Sequence, residues 1–389
     1  MLSNSQRCLL PAVVRARAPD ADPAVVFRDD GLRLIPPYIG SACTFTKRNW
    51  QGRSLRDVVQ KEFYAITAEH MDRLVQAGRF RIDGRVVTSA SVTMEHNEQL
   101  CSTVHYHEPP ALVTEAQLRS CVVGETSSFL AVNKPASLVV HPTGRFRHNS
   151  MTLALKRHLH LFDLSPVHRL DRCASGLLLF AKSSDAARQA FAWFAERRAK
   201  KLYIARVANG ARLPSLNATF SIDTPLPMRS PTSNALTPAQ TLARVVRYDS
   251  SSDTALVLCY PVTGRLHQIR LHLAGLGTPI DGDPLHGKKP GASDDNRWLW
   301  GVTATGWQRF SRPAIDPALH DPLCPTCQRI GGNAEFAWDD PFARDSVLSM
   351  PLHSLRLTVP GELDFRTPLP AWCEPFTGAE ELAHLAQSM

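Results

Sequence analysis

Strand and helix patterns that follow one another without a strict βαβ rhythm predict an α+β fold for this 389-residue chain. Three observations carry that expectation. Apolar strand segments recur at 129–132, 176–181 and 201–207. Two stretches read as hairpins, one turning at Asp83-Gly84 and one spanning 350–370. With 43% hydrophobic residues, the chain is also long enough for a sizeable core and two domains.

Along the chain, residues 1–50 read as an N-terminal extension. Its first 19 residues hold Ser3, Ser5, Arg7, Arg15 and Arg17 with no acid before Asp20, the composition of a mitochondrial transit peptide or of a disordered tail. A small domain is expected over 51–108. Leu55, Val58 and Val59 have helical spacing, Thr67-Ala68-Glu69-His70 starts a second helix, and Met71, Leu74 and Val75 share one face before Gly78 ends it. The alternating stretch 79–87 then forms the first hairpin.

A larger domain is expected over 109–372. Its first strand runs into Asn133-Lys134-Pro135. Ser183 caps a helix reaching about Lys200, with an apolar stripe of Ala187, Phe191, Phe194 and Ala195. Residues 208–240 look loop-like, strands follow near 241–248 and 254–260, a polar insert covers about 288–345, and a tail occupies 373–389.

Lys and Arg number 44 against 36 Asp and Glu, a net charge of +8 that suits a polyanionic partner. No apolar run approaches the roughly 18 residues of a membrane span, so no membrane partner is expected. Nine scattered cysteines, mostly within apolar strings, lead us to expect reduced thiols and an intracellular protein, mitochondrial or cytoplasmic.

The chemistry concentrates in His168-Arg169-Leu170-Asp171-Arg172-Cys173-Ala174-Ser175-Gly176, followed at once by an apolar strand. Asp171 stands between two arginines on a tight turn, beside cations that suit a nucleophile or base. This string resembles the central motif of the RluA family of pseudouridine synthases. Three more resemble that family in order: Lys134-Pro135-Ala136-Ser137-Leu138-Val139-Val140-His141-Pro142, Lys201-Leu202-Tyr203-Ile204-Ala205-Arg206-Val207, and Thr263-Gly264-Arg265-Leu266-His267-Gln268-Ile269-Arg270-Leu271-His272, which continues to Pro279-Ile280-Asp281-Gly282-Asp283-Pro284. Leu352-His353-Ser354-Leu355-Arg356 and Thr367-Pro368-Leu369-Pro370 resemble its last strands. Two positions depart from the pattern: Ala174 and Leu266 stand where threonine is frequent, each removing one hydroxyl.

The resemblance implies a central mixed, largely antiparallel sheet with flanking helices around a basic cleft. It further implies conversion of a uridine in structured RNA to pseudouridine, with Asp171 as the catalytic aspartate. Asp171 would attack C1′ or take a proton from C2′, and both routes stay open. Arg270, with Arg265 as the alternative, would pair with Asp171 and wedge into the space the flipped base leaves. Tyr203 would stack on the uracil and assist loss of the C5 proton, or serve only as a strand tyrosine. Arg169, Arg172, Arg265, Lys134 and His141 would contact substrate. The small domain resembles an RNA-binding module shared with a ribosomal protein, with Arg73, Arg79, Arg81 and Arg85 facing phosphate; a small α+β domain with solvated arginines is the other reading. The reaction implied needs no metal, redox or nucleotide cofactor. The string 142–149 and the Cys-x-x-Cys insert resemble the eukaryotic branch acting on tRNA, with ribosomal RNA or a non-catalytic RNA-binding factor as the alternatives.

Three other patterns yield less. Cys324-Pro325-Thr326-Cys327 supplies one cysteine pair where a structural zinc site needs about four ligands, although His320, His353 or Cys373 could complete it in space. His96-Asn97-Glu98 lies over 200 residues before Cys324, and Leu323 precedes that cysteine, which excludes a zinc deaminase. The string 282–289 nearly spells a phosphate loop, but Lys289 takes the place of the magnesium-binding hydroxyl.

Overall fold

In the computed structural model, the described residues are 22–62, 68–228, 235–288, 298–303, 306–311, 317–324, 327 and 347–376. The transit-peptide reading of residues 1–19, Thr67 as a helix start, and the tail beyond 376 lie outside them. The chain divides into two compact units: residues 1–26, 35–108 and 313–337 form one, and residues 27–34, 109–312 and 338–389 the other.

The first unit has a four-stranded antiparallel sheet. Strands β1 (Tyr38–Phe45), β2 (Phe80–Ile82), β3 (Arg85–Val86) and β4 (Gln99–Tyr106) lie in the order β1-β4-β2-β3. Helices α1 (Leu55–Glu62) and α2 (Ala68–Gln76) bury Leu55, Val58, Val59, Met71 and Val75 around Trp50, Phe80, Met94 and Leu100. Helical spacing put those side chains on one face, and burial of that face stabilises helices too short to persist alone. Asp83 and Gly84 both take positive φ, as a two-residue hairpin turn requires. One expectation fails here: Cys43 and Cys101 are joined in a disulfide. They are directly opposed on β1 and β4, a pairing set by the register of strands 58 residues apart and invisible in composition.

The second unit is built on a ten-stranded sheet. Its main path uses β5 (Val122–Glu125), β6 (Phe129–Lys134), β7 (Ser175–Ala181), β8 (Lys200–Ala208), β9 (Thr219–Ile222), β10 (Thr241–Asp249), β11 (Thr254–Pro261) and β12 (Leu352–Val359), in the order β9-β10-β11-β8-β12-β7-β6-β5. Ser165–Pro166 pairs with β7, and β13 (Leu363–Arg366) pairs with β12. Only β7 and β12 pair in parallel among the pairings described; the rest are antiparallel, so the sheet is mixed and largely antiparallel. Helices α3 (Met151–Leu159), α4 (Ser184–Ala195) and α5 (Gln268–Gly275) accompany it.

Two details of α4 differ from expectation. The helix stops at Ala195 because Arg197 takes a left-handed conformation, turning the Arg198 and Ala199 N–H groups onto the Trp193 carbonyl. Its buried stripe is Ala186, Ala190 and Trp193, one position away from the stripe read in the sequence, and Phe191 is 71% exposed. Trp193, the largest side chain of the buried stripe, packs on Phe129 and so sets the rotation of the helix. The proline-rich stretch 208–240 contains strand β9, and part of the polar insert forms a hairpin of Trp298–Thr303 with Gly306–Ser311.

Sheet register places five strands' residues in one row. Lys134 of β6 opposes Gly176 of β7, Gly176 opposes Ser354 of β12, Ser354 opposes Tyr203 of β8, and Tyr203 opposes Cys259 of β11. The Asp171 loop feeds directly into the β7 end of this row.

Candidate active site

Asp171 sits on the turn before β7, where Ala174 N–H donates to the Asp171 carbonyl. Its cationic partner is not a sequence neighbour. Arg270, on α5, donates from Nη1 to Asp171 Oδ2 at 2.8 Å. The other side of the guanidinium is also engaged: Arg270 Nε and Nη2 donate to the two oxygens of Asp283, each at 2.7 Å. Arg270 is 4% exposed and Asp283 fully buried, while the Asp171 side chain is 24% exposed. One rigid fork thus spans two carboxylates, one sealed and one open to solvent.

The electrostatics agree with that geometry. Burial works against the Arg270 charge, but Asp283 and Asp171 outweigh it and push the guanidinium pKa further up. Burial likewise opposes ionisation of Asp283, yet Arg270 and the N–H groups of Leu285 and His286 hold its pKa below the usual carboxylate value. Asp283 therefore fixes Arg270 as a charged, immobile group.

Helix α5 is held by residues on its opposite side. Gln268 bonds Thr263, Arg265, Gln240 and Thr241, and His272 bonds Thr241 and the Thr224 carbonyl. Four residues apart, they share a face that leaves Arg270 turned the other way. At the start of the helix His267 takes φ 53°, which brings its Nε2 to 3.8 Å from Asp171 Oδ1 and its Nδ1 to 3.1 Å from His286 Nε2. Burial lowers the His267 pKa, with Asp171 opposing.

Tyr203 is buried in the apolar cluster that also holds Leu170, Cys173, Ala174, Leu178 and Ile269. The residues flanking Asp171 and the neighbour of Arg270 therefore share one packed core with Tyr203. Arg169 is exposed two residues before Asp171 and lowers the pKa of half-buried His141, whose main perturbation is burial. Arg172 donates to the Val347 carbonyl and lies over the Phe146 ring. Arg265 is exposed and bonds the Pro238 carbonyl, so the pairing with Asp171 belongs to Arg270. Arg73, Arg81 and Arg85 of the first unit are exposed.

Three expectations change. Lys134 is 0% exposed, and its ammonium donates to the carbonyls of Pro135, Leu138 and Arg172, which holds the turn under the Asp171 loop and leaves no reach to a phosphate. Burial pushes its pKa down to about 7. Arg79 is ion-paired with Asp321 at 2.9 Å and is not a free phosphate contact. Arg270, gripped by Asp283, cannot swing out as a wedge without breaking two buried bonds. Sequence reasoning missed Asp283, His267 and His286, although all lie in strings already singled out; their roles depend on which side chains turn towards Arg270 and Asp171, which the strings do not show.

Residues 128–275 match the family described as RNA pseudouridylate synthase. Pseudouridylate synthase RPUSD2 of Mus musculus is 34% identical over 265 residues, covering 66% of this chain and 46% of that relative. RNA pseudouridine synthase 7 of Oryza sativa is 29% identical over 377 residues, with 89% and 91% covered. The tRNA pseudouridine(31) synthase of Saccharomyces cerevisiae is 32% identical over 300 residues, with 67% and 73% covered. The chain thus spans less than half the length of the mouse relative.

Proposed function

The chain belongs to the RluA-type family of RNA pseudouridine synthases, and from that membership we propose that it isomerises a specific uridine of tRNA to pseudouridine, with Asp171 breaking the glycosidic bond. The observation that carries this reading is the Asp171–Arg270–Asp283 chain. A solvent-reachable carboxylate is held in one orientation by a buried guanidinium that a second, sealed carboxylate keeps charged.

In the proposed reaction the uridine leaves its stack for the site, at a cost of a few kcal/mol. Asp171 acts at the ribose, by attack at C1′ or removal of a C2′ proton, and the N1–C1′ bond breaks. The uracil turns and its C5 bonds to C1′, displacing the Asp171 carboxylate in the first route or adding to the glycal as C2′ regains its proton in the second. The C5 proton then passes to solvent and N1 takes one up. Arg270 keeps the Asp171 carboxylate aimed, Tyr203 forms a wall for the turning base, and Leu178 and Ile269 belong to the same apolar cluster. Arg169 has the freedom that Arg270 lacks, and in this reading it fills the vacated stack.

Support for tRNA over ribosomal RNA comes from two Saccharomyces cerevisiae relatives. One is named tRNA pseudouridine(31) synthase, the other tRNA pseudouridine(32) synthase, mitochondrial, the latter 33% identical over 280 residues. The mitochondrial name of the second relative favours a mitochondrial location, with the cytoplasm as the alternative. Exposed Arg73, Arg81 and Arg85 support an RNA-contacting role for the small unit.

Tritium release from RNA labelled at uracil C5 tests the reading. Wild type should release label from total tRNA and not from ribosomal RNA. Asp171→Asn should release none while keeping its tRNA affinity. Release by that variant would remove Asp171 from the mechanism, and release from ribosomal RNA alone would overturn the tRNA assignment.

A further inference from the structure

Two histidines at the C-terminal end of β4 and the Cys324/Cys327 pair meet inside the first unit. His105 is the penultimate residue of β4 and His107 the first residue beyond it, two positions apart along extended backbone. Both cysteines are buried free thiols. His105 Nδ1, His107 Nε2 and the two Sγ atoms all lie within 4.8 Å of one another. Cys327 Sγ is 3.4 Å from His105 Nδ1 and 3.3 Å from His107 Nε2, Cys324 Sγ is 3.4 Å from His107 Nε2, and the two imidazole nitrogens are 3.1 Å apart.

Hydrogen bonding alone does not account for this convergence. An imidazole Nε2 carries one proton or one lone pair, yet three atoms crowd the Nε2 of His107 at hydrogen-bond range. Four potential ligand atoms gathered this closely match the donor set of a single metal ion. With Zn–S near 2.3 Å and Zn–N near 2.0–2.1 Å, tetrahedral ligand atoms stand roughly 3.3–3.8 Å apart, close to the spacings seen. Two thiolates and two neutral imidazoles would make the site electrically neutral with Zn²⁺, as burial favours, and binding would release two thiol protons.

The surroundings supply supporting bonds. Asp321 N–H donates to Cys327 Sγ, Cys324 N–H donates to the Asp321 carbonyl, and the Asp321 side chain pairs with Arg79 beside β2. Of the residues the sequence offered to complete the cysteine pair, His353 is instead bonded to Ser175 and Thr367 in the second unit. Cys373 lies in that unit's core, and His320 Nε2 meets the Cys327 carbonyl.

We propose that His105, His107, Cys324 and Cys327 bind one structural zinc ion that fastens the two cysteines to the sheet of the first unit. All four positions are filled by protein, so the ion has no open site for catalysis.

Metal analysis of the full chain, purified without chelator, tests this. The expected result is one zinc per chain, released on thiol modification by a mercurial reagent. Cobalt exchange should give tetrahedral d–d bands with thiolate charge transfer. Cys324→Ser and His107→Ala should each lose the metal and the thiolate–cobalt spectrum, while His320→Ala and Cys373→Ser should keep both, which separates ligand loss from general unfolding. A chain that takes up no zinc or cobalt, or in which peptide mapping finds Cys324 and Cys327 disulfide-bonded, would overturn the proposal. Retention of the full cobalt spectrum by His107→Ala would do the same.

Discussion

A guanidinium shared by two carboxylates makes Asp283 as consequential as Asp171, though Asp283 is fully buried. Removing one partner of a buried ion pair typically costs about 3–5 kcal/mol, because the remaining charge stays desolvated. Asp283→Asn should therefore lower the urea midpoint and reduce tritium release, while RNA affinity stays near wild type; unchanged stability would show that Arg270 does not depend on Asp283. Asp171 and Arg270 were legible as members of ordered strings. Asp283 was not, since nothing in Asp281-Gly282-Asp283 says which acid turns inward. In the structure Asp281 pairs with Arg206 and Trp307, and Asp283 takes the sealed position.

The strand after Asp171 depends on close approach of two backbones. Gly176 has φ 106°, and a Cβ there would meet the Ser354 backbone oxygen at 2.3 Å and nitrogen at 2.4 Å. Gly176→Ala should force β7 from β12 and destabilise by more than about 3 kcal/mol, measured by denaturant unfolding. His353, beside this contact, joins Ser175 of β7 to Thr367 through its two ring nitrogens. Burial lowers its pKa from 6.5 to about 3. Between those values the unfolded chain binds a proton that the folded chain refuses, so stability should fall as pH drops from about 6.5 towards 3 and be unaffected above that window. His353 should contribute a slope approaching about 1.4 kcal/mol per pH unit, to which His168, whose pKa burial also lowers to about 3, adds its own. His353→Gln should reduce the slope by its single share in thermal melts. Element types were readable from periodicity in most of the second unit. Rotation of α4 was not, because Phe191 and Trp193 fit a helical stripe equally well until Phe129 is in place to receive one of them.

Across the whole molecule, the excess of eight positive charges needs a location to have meaning. If Arg73, Arg81 and Arg85 each contact phosphate, replacing all three with alanine should weaken tRNA binding and reduce the slope of log K against log salt by roughly 2–3. An unchanged slope, read by filter binding, would remove the small unit from the RNA interface. Ordered motifs made the family readable in the sequence, but the composition of the first unit was not, because periodicity reports only near neighbours and that unit draws on residues 313–337. The same separation has a consequence in time. His107 and Cys324 are 217 positions apart, and a ribosome adding about 5–20 residues per second takes roughly ten to forty seconds to travel between them. For that interval the nascent small unit holds its two imidazoles without their thiol partners, while the turn carrying Asp171 and the helix carrying Arg270 emerge. The first part of the chain to be made is thus among the last to be finished.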